Sequence, residues 1–243
     1  MPAVSDPLEG HLNRQLARSR GFFWNRVRWE LIQSQLPAGP FELVDVGAGP
    51  GFLGDYLADN RPDVRYSFTE LIEGLEQGLV ERFGASANRR ESNFYSGAKV
   101  VTMLDVLEHI EDDRGFLTEL AGKLEPGTTL LLTVPALPAL WSNWDVLLGH
   151  YRRYTKASLA SAVELTGFEV VERSYLFPEL IPLGLWRRLR ERAGAADSAD
   201  DAEFPDLSDP VNETLYRVAS GTKAVRSIWP AGTSLFARLR RSG

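Results

Sequence analysis

The sequence predicts an α/β protein built on an open, mostly parallel, doubly wound sheet. Three observations carry that expectation. Short apolar runs alternate with helical apolar patterns through most of the chain, the rhythm of βαβ units. The first run, Leu43–Val46, breaks directly into Gly47, Gly49 and Gly51 before a helical pattern (Phe52, Leu53, Tyr56, Leu57). A strand that turns through glycines onto a helix brings bare backbone close to a ligand, often one with an adenosine or phosphate group. Finally, the run Thr129–Val134 is continuously apolar apart from its threonines, as suits a central strand buried on both faces.

The elements follow in order. A helix is expected over residues 11–36, with Phe23, Val27 and Leu31 on one face and Pro37 closing it. Strands are expected at Glu42–Val46 and at Val64–Thr69, where Val64, Tyr66 and Phe68 alternate. A helix follows from Leu71 to about Phe83; residues 84–98 carry no readable strand. Lys99–Leu104 is the next strand, and a helix near Arg114–Leu124 ends at Pro126-Gly127. After Thr129–Val134 comes a loop rich in proline and tryptophan (Pro135–Trp144). Thr155 is then placed to cap a helix running to Thr166, and Gly167 leads into a strand at Phe168–Arg173. From Pro178 to about Pro230 the rhythm breaks. Arg187, Arg188, Arg190 and Arg192 cluster, and Ala195–Asp209 holds six acidic and no basic residues, which reads as a mobile loop or linker. Thr233–Leu239 is the last strand. The expected organisation is one domain over 1–243: a helical cap at 1–40, a core at 41–177, an insertion at 178–230 and a final strand and tail at 231–243.

With 243 residues, 44% of them apolar and 25% charged, the composition is that of an ordinary globular protein. The net charge of −6 argues against broad nucleic-acid binding. The chain has no cysteine, so disulfides, thiol nucleophiles and thiolate metal sites are excluded. The first residues lack a basic start and an apolar core, and no apolar run approaches the roughly 20 residues needed to span a bilayer. The expected location is cytoplasmic.

The spacing of the glycines separates two ligand classes. A dinucleotide fingerprint needs a third glycine where Phe52 stands, which argues against a nicotinamide-dependent oxidoreductase. Glu70, at the end of the second strand and 19 residues past Gly51, can accept hydrogen bonds from both hydroxyls of a ribose; the plainer role is a helix-start acid. The Gly47-Ala48-Gly49-Pro50-Gly51 turn with Asp45 ahead of it, Glu70, and Leu104-Asp105-Val106-Leu107-Glu108-His109-Ile110 together resemble class I S-adenosylmethionine-dependent methyltransferases. The segments Phe22–Arg28 and Gly149–Thr155 are similar to a bacterial subgroup that acts on small or lipid-linked molecules. The resemblance covers about residues 20–175 and the last strand. It implies a Rossmann-like sheet of seven strands with the last one antiparallel. Asp45, Gly47, Gly49, Gly51 and Glu70 would hold S-adenosylmethionine, and Asp105 would flank its methionine end. The acid-containing segment that contacts adenine in this family is not recognisable in Asn88–Ser96, so no adenine contact is assigned.

The implied reaction moves a methyl group to a small-molecule or lipid- or glycan-linked acceptor; the alternative is a non-catalytic protein that kept the fold. His150 lies in the loop that faces the substrate in this fold, and an imidazole suits removal of a proton from a hydroxyl. Arg152 and Arg153 could clamp a substrate carboxylate or phosphate, or simply pin their loop. Asp105, Glu108, His109 and His150 resemble the carboxylate–histidine set that binds a divalent metal in small-RNA 2′-O-methyltransferases, and two carboxylates with two imidazoles would suit a borderline divalent ion; the Glu-His pair also occurs in metal-free relatives, and no metal is assigned. The apolar residues of Tyr175–Arg192, backed by arginines, could cap an apolar substrate, rest on a membrane surface or pack on the domain.

Overall fold

The computed structural model describes residues 21–92, 95–194 and 207–243. In chain order these form α1 (Phe23–Gln35), β1 (Phe41–Val46), α2 (Phe52–Asn60), β2 (Val64–Thr69), α3 (Glu73–Phe83), β3 (Ala98–Leu104) and α4 (Asp113–Gly122). There follow β4 (Thr129–Pro135), α5 (Asn143–Leu147), α6 (Lys156–Val163), β5 (Phe168–Leu176), α7 (Ile181–Arg192), α8 (Asp209–Ala224) and β6 (Ser234–Arg241). The sheet order is β2-β1-β3-β4-β6-β5.

Strands β2, β1, β3 and β4 are parallel, whereas β6 runs antiparallel between β4 and β5. The sheet is therefore mixed and has six strands among the described residues, which corrects the expected seven. The missing strand shrinks to one parallel bridge, Phe68 to Asn88, with the Arg89 N–H donating to the Phe68 carbonyl. Its cause is legible: Asn88-Arg89-Arg90-Glu91-Ser92 offers no apolar alternation to bury against a helix layer.

Every residue of β1 is buried, and apolar layers cover both faces of the sheet. Leu117, Leu120, Leu159 and Val163 pack on one face; Val27, Leu31, Leu53 and Leu57 pack on the other. Thr155 caps α6 as expected, accepting from the Ser158 N–H, but the helix ends at Val163 rather than Thr166. β5 extends three residues past the expected Arg173, because Tyr175 and Leu176 are buried. α5 begins at the end of the proline- and tryptophan-rich loop and runs three residues past it, and the pattern does not announce it. The expected helix over 11–36 is observed from Phe23 onwards; residues 11–20 lie outside the described residues, as does most of the acidic stretch (195–206).

The insertion contributes two helices. α8 packs on α1, with Phe23 N–H donating to Asn212 Oδ1 (2.9 Å) and Lys223 Nζ bridging to Glu30 (2.7 Å). Among the described residues no helix is long and apolar enough to cross a membrane.

Candidate active site

The glycine turn leaves the carboxyl end of β1. Gly47, Gly49 and Gly51 all have left-handed backbones (φ 68°, 53° and 77°), which L side chains adopt only at a cost. A Cβ at Gly47 would also lie 2.7 Å from Val106 Cγ2. The turn is hung on β2, since the N–H groups of Gly47 and Ala48 both donate to the Thr69 carbonyl. Glu70 follows immediately and is buried. Its Oε2 accepts from the Gly49 N–H (2.7 Å), and its Oε1 accepts from Leu71 N–H and Ile72 N–H (2.7 and 2.9 Å). The fold thus joins directly the acid and the glycines that the sequence separates.

Asp45 lines the cleft beneath the turn and is tied to both neighbouring strands. It accepts from Thr102 Oγ1 of β3 (2.6 Å) and from the Tyr66 hydroxyl of β2 (3.0 Å). Burial pushes its carboxyl up to about 6.

The opposite wall is built at the ends of β3 and β4. Asp105 is itself left-handed (φ 57°). Its Oδ1 accepts from Thr133 Oγ1 (3.1 Å), and its Oδ2 pairs with Arg28 Nη1 (2.8 Å). Arg28 is buried and also donates to Thr133 Oγ1 (3.0 Å). It reaches the site from α1. Its place in the Phe22–Arg28 motif was the only sequence signal for it, and that motif assigns it no role.

His150 is held by a residue that sequence reasoning missed. Its Nδ1 lies 2.9 Å from Oδ1 of Asp145, on α5. Asp145 is fully buried, accepts twice from Arg153 Nε (2.8 and 2.9 Å) and takes the Ser142 N–H that starts its helix (3.0 Å). Burial opposes its charge, but the hydrogen bonds and charges of His150 and Arg153 outweigh burial and hold its carboxyl below the usual range. The Asp145 contact reserves Nδ1 and leaves Nε2 for the cavity. Asp145 shows no motif in the sequence, since one acid in a tryptophan-rich loop is unremarkable.

Two further titratable groups adjoin His150. The His109 ring meets the His150 ring edge-on at 4.7 Å. Burial, and then His150, lower it to about 4, so it is neutral at neutral pH. Glu108 is completely buried, and neither carboxyl oxygen has a hydrogen-bond partner. Burial, and then the nearby Asp105, push its carboxyl well above the usual range.

The two arginines proposed as a substrate clamp are engaged with the chain itself. Arg152 donates to the carbonyls of Ile110 and Glu111 and pairs with Asp113 (2.9 Å). Arg153 is occupied by Asp145 and the Ala136 carbonyl. These contacts match loop pinning, and of the two only Arg153 reaches the cavity wall.

Most of these groups border one cleft of about 1190 Å³ at the carboxyl ends of the parallel strands, where open α/β sheets take ligands; Asp145, Arg152 and Thr133 stand behind its wall. Gly47, Gly49 and Glu70 line one end and Asp105, His109 and His150 the middle; Trp24, Leu140, Trp144, Leu180 and Leu183 make an apolar region. A Cβ-free cradle beside a buried carboxylate fits the adenosine of a nucleoside ligand, and a cleft of this size leaves room for a second molecule.

A mixed sheet with a glycine turn after β1 and an acid after β2 defines a nucleoside-binding α/β protein. Residues 9–173 match the model of the "Methyltransferase domain" family, and the chain belongs to that family. Solved structures share the fold. Phosphoethanolamine N-methyltransferase 2 of Haemonchus contortus, held in complex with S-adenosyl-L-methionine, has a TM-score of 0.56 at 16% identity, over 90% of this chain and 53% of that one. This chain therefore spans about half the length of that enzyme. An S-adenosylmethionine-dependent methyltransferase from Archaeoglobus fulgidus aligns with a TM-score of 0.56 at 14% identity (92% and 95% covered). A cyclopropane synthase of Mycobacterium tuberculosis gives 0.54 at 15% identity (88% and 82% covered). At such identities the likeness is one of fold. A comparison with curated proteins found no match.

Proposed function

We propose that this protein binds S-adenosylmethionine and moves its methyl group to a small-molecule or lipid-linked acceptor, with a hydroxyl as the attacking group. The observation that carries the reading is the 2.7 Å contact between Gly49 N–H and Glu70 in a cleft whose middle is lined by His150. S-adenosylmethionine supplies a sulfonium-bound methyl group and a neutral leaving group, so the protein's task is alignment and, for a hydroxyl, proton removal.

In this reading Glu70 accepts the ribose hydroxyls, the Gly47–Gly51 turn lies against the adenosine and Asp45 braces the turn from below. Asp105, fixed by Arg28 and Thr133, takes the ammonium of the methionine part. His150 activates the acceptor: as a free ring its Nε2 takes the proton, and the imidazolium formed is stabilised by Asp145 through Nδ1. Arg152 and Arg153 hold the loop that carries His150.

The apolar end of the cleft supports an acceptor with a hydrocarbon part. Leu180, Leu183 and Arg187 line the cleft, and Leu183 is itself 54% exposed; Leu185, Trp186 and Leu189 of the same helix are exposed outside the cleft lining (45, 54 and 64%). Such a two-faced segment suits contact with a lipid surface.

Calorimetric titration with S-adenosylmethionine and its demethylated product tests the reading. Micromolar binding that Glu70→Ala weakens at least tenfold supports it; no binding of either ligand to the wild type refutes it.

A further inference from the structure

We propose that Glu108, His109 and His150 form a binding site for one borderline divalent cation, of the Mn²⁺, Co²⁺ or Zn²⁺ kind, in the middle of the cleft. One donor atom from each residue lies within 4.8 Å of those of the other two. Three ligands about 2.1 Å from one ion in a tetrahedral arrangement stand roughly 3.4 Å apart, so closing the site takes side-chain movements that bring the widest pair about 1.4 Å closer.

Three independent features distinguish this cluster from an ordinary polar core. Glu108 is fully buried, yet both its oxygens lack a hydrogen-bond partner. A buried carboxyl left without partners is strongly unfavourable unless something occupies it. Each imidazole has a polar neighbour. Asp145 Oδ1 takes His150 Nδ1 at 2.9 Å, and the backbone of Leu148 and Gly149 adjoins the His109 ring. Metal-bound histidines characteristically have their second nitrogen satisfied as that of His150 is. Lastly, all three residues border the cleft, so positions on the ion remain open to it.

Two imidazoles and one carboxylate favour a borderline ion over Mg²⁺, which prefers oxygen ligands. Asp105 stays outside the set: its donor atoms do not fall in the cluster, and it is paired with Arg28. The inference rests on the methyl-transfer reading for its role: an acceptor hydroxyl at an open position on the ion would be oriented and made more acidic, and its proton would leave to solvent water in the cleft as the methyl group is transferred. Nε2 of His150 cannot bind an ion and take a proton at once. In the loaded protein it is a ligand, and it is a base only in the metal-free one.

The test uses the full chain after dialysis against a chelator. Co²⁺ titration, followed by visible absorption and calorimetry, should show one site per chain. Glu108→Gln and His109→Gln should each weaken it at least tenfold, and Asp145→Asn, which leaves all three ligands in place, tenfold to a hundredfold. In the wild type, substoichiometric Mn²⁺ should broaden the ring signals of His109 and His150, a readout that does not depend on any variant folding. Absence of a stoichiometric site, unbroadened ring signals, or variants that bind like wild type would overturn the proposal. S-adenosylmethionine titration of the same metal-free samples tests the underlying reading separately. If the cofactor binds and Co²⁺ does not, the cation site alone fails.

Discussion

Single carboxylates in this protein are distinguished by what surrounds them rather than by type. Glu70 is spread over three backbone N–H groups, whereas Asp145 is fixed between an imidazole and a guanidinium. Asp145→Asn removes one charge and offers His150 an amide that can hold the wrong tautomer. Its turnover should fall by roughly a hundredfold, with S-adenosylmethionine affinity within about twofold of wild type; equal loss of both would show a structural effect only. Asp45 gives a pH signature. Its native value of about 6 stands above its ordinary 3.8, so the native state binds more protons than the unfolded chain between those values. Its ionisation therefore costs stability as pH rises through 6, by about 3 kcal/mol for a shift of this size. Relative to wild type, Asp45→Asn should gain stability between pH 4 and pH 7.5, measured by urea unfolding without ligand. A flat difference would show that Asp45 titrates normally.

At the scale of elements, the β1–α2 turn has the least freedom. Gly47→Ala places an L side chain in a left-handed conformation and against Val106, and should cost about 2 kcal/mol or more. Gly78→Ala, in α3 with open space around it, should be neutral or stabilising by up to about 1 kcal/mol. Equal effects in denaturant unfolding would refute this account of the turn. The helix α1 carries more than packing. It delivers Arg28 to Asp105 while Glu30, Arg26 and Phe23 tie it to α8. The insertion between β5 and β6 thereby braces the element that positions the cleft wall.

The whole molecule places a polar, titratable centre between a glycine-lined end and an apolar end. Its net charge of −6 disfavours approach to an anionic surface, so membrane contact would depend on the local pattern of α7. Leu185, Trp186 and Leu189 stand beside Arg188, Arg190 and Arg192. Wild type should co-sediment with vesicles containing anionic lipid, and Trp186→Asp should reduce the bound fraction several-fold at moderate salt. Identical sedimentation of the two proteins would remove the lipid surface from the proposed function.

The sequence alone determined the alternation of strands and helices, the glycine turn, Glu70 and the family, because those features are local. Period, turn chemistry and short spacing act over a few residues and leave a readable pattern. Tertiary structure decided the rest. The strand lost between residues 84 and 98 depended on whether a polar segment could pair along the exposed edge of β2. Asp145 and Arg28 became site residues only when α5 and α1 carried them to His150 and Asp105. The pinning of Arg152 to the Ile110 and Glu111 carbonyls, and the convergence of Glu108 and His109 with His150, likewise arise from contacts across 41 or 42 positions. A charged side chain's partner is chosen by where the folded backbone puts it, and spacing along the chain does not encode that choice.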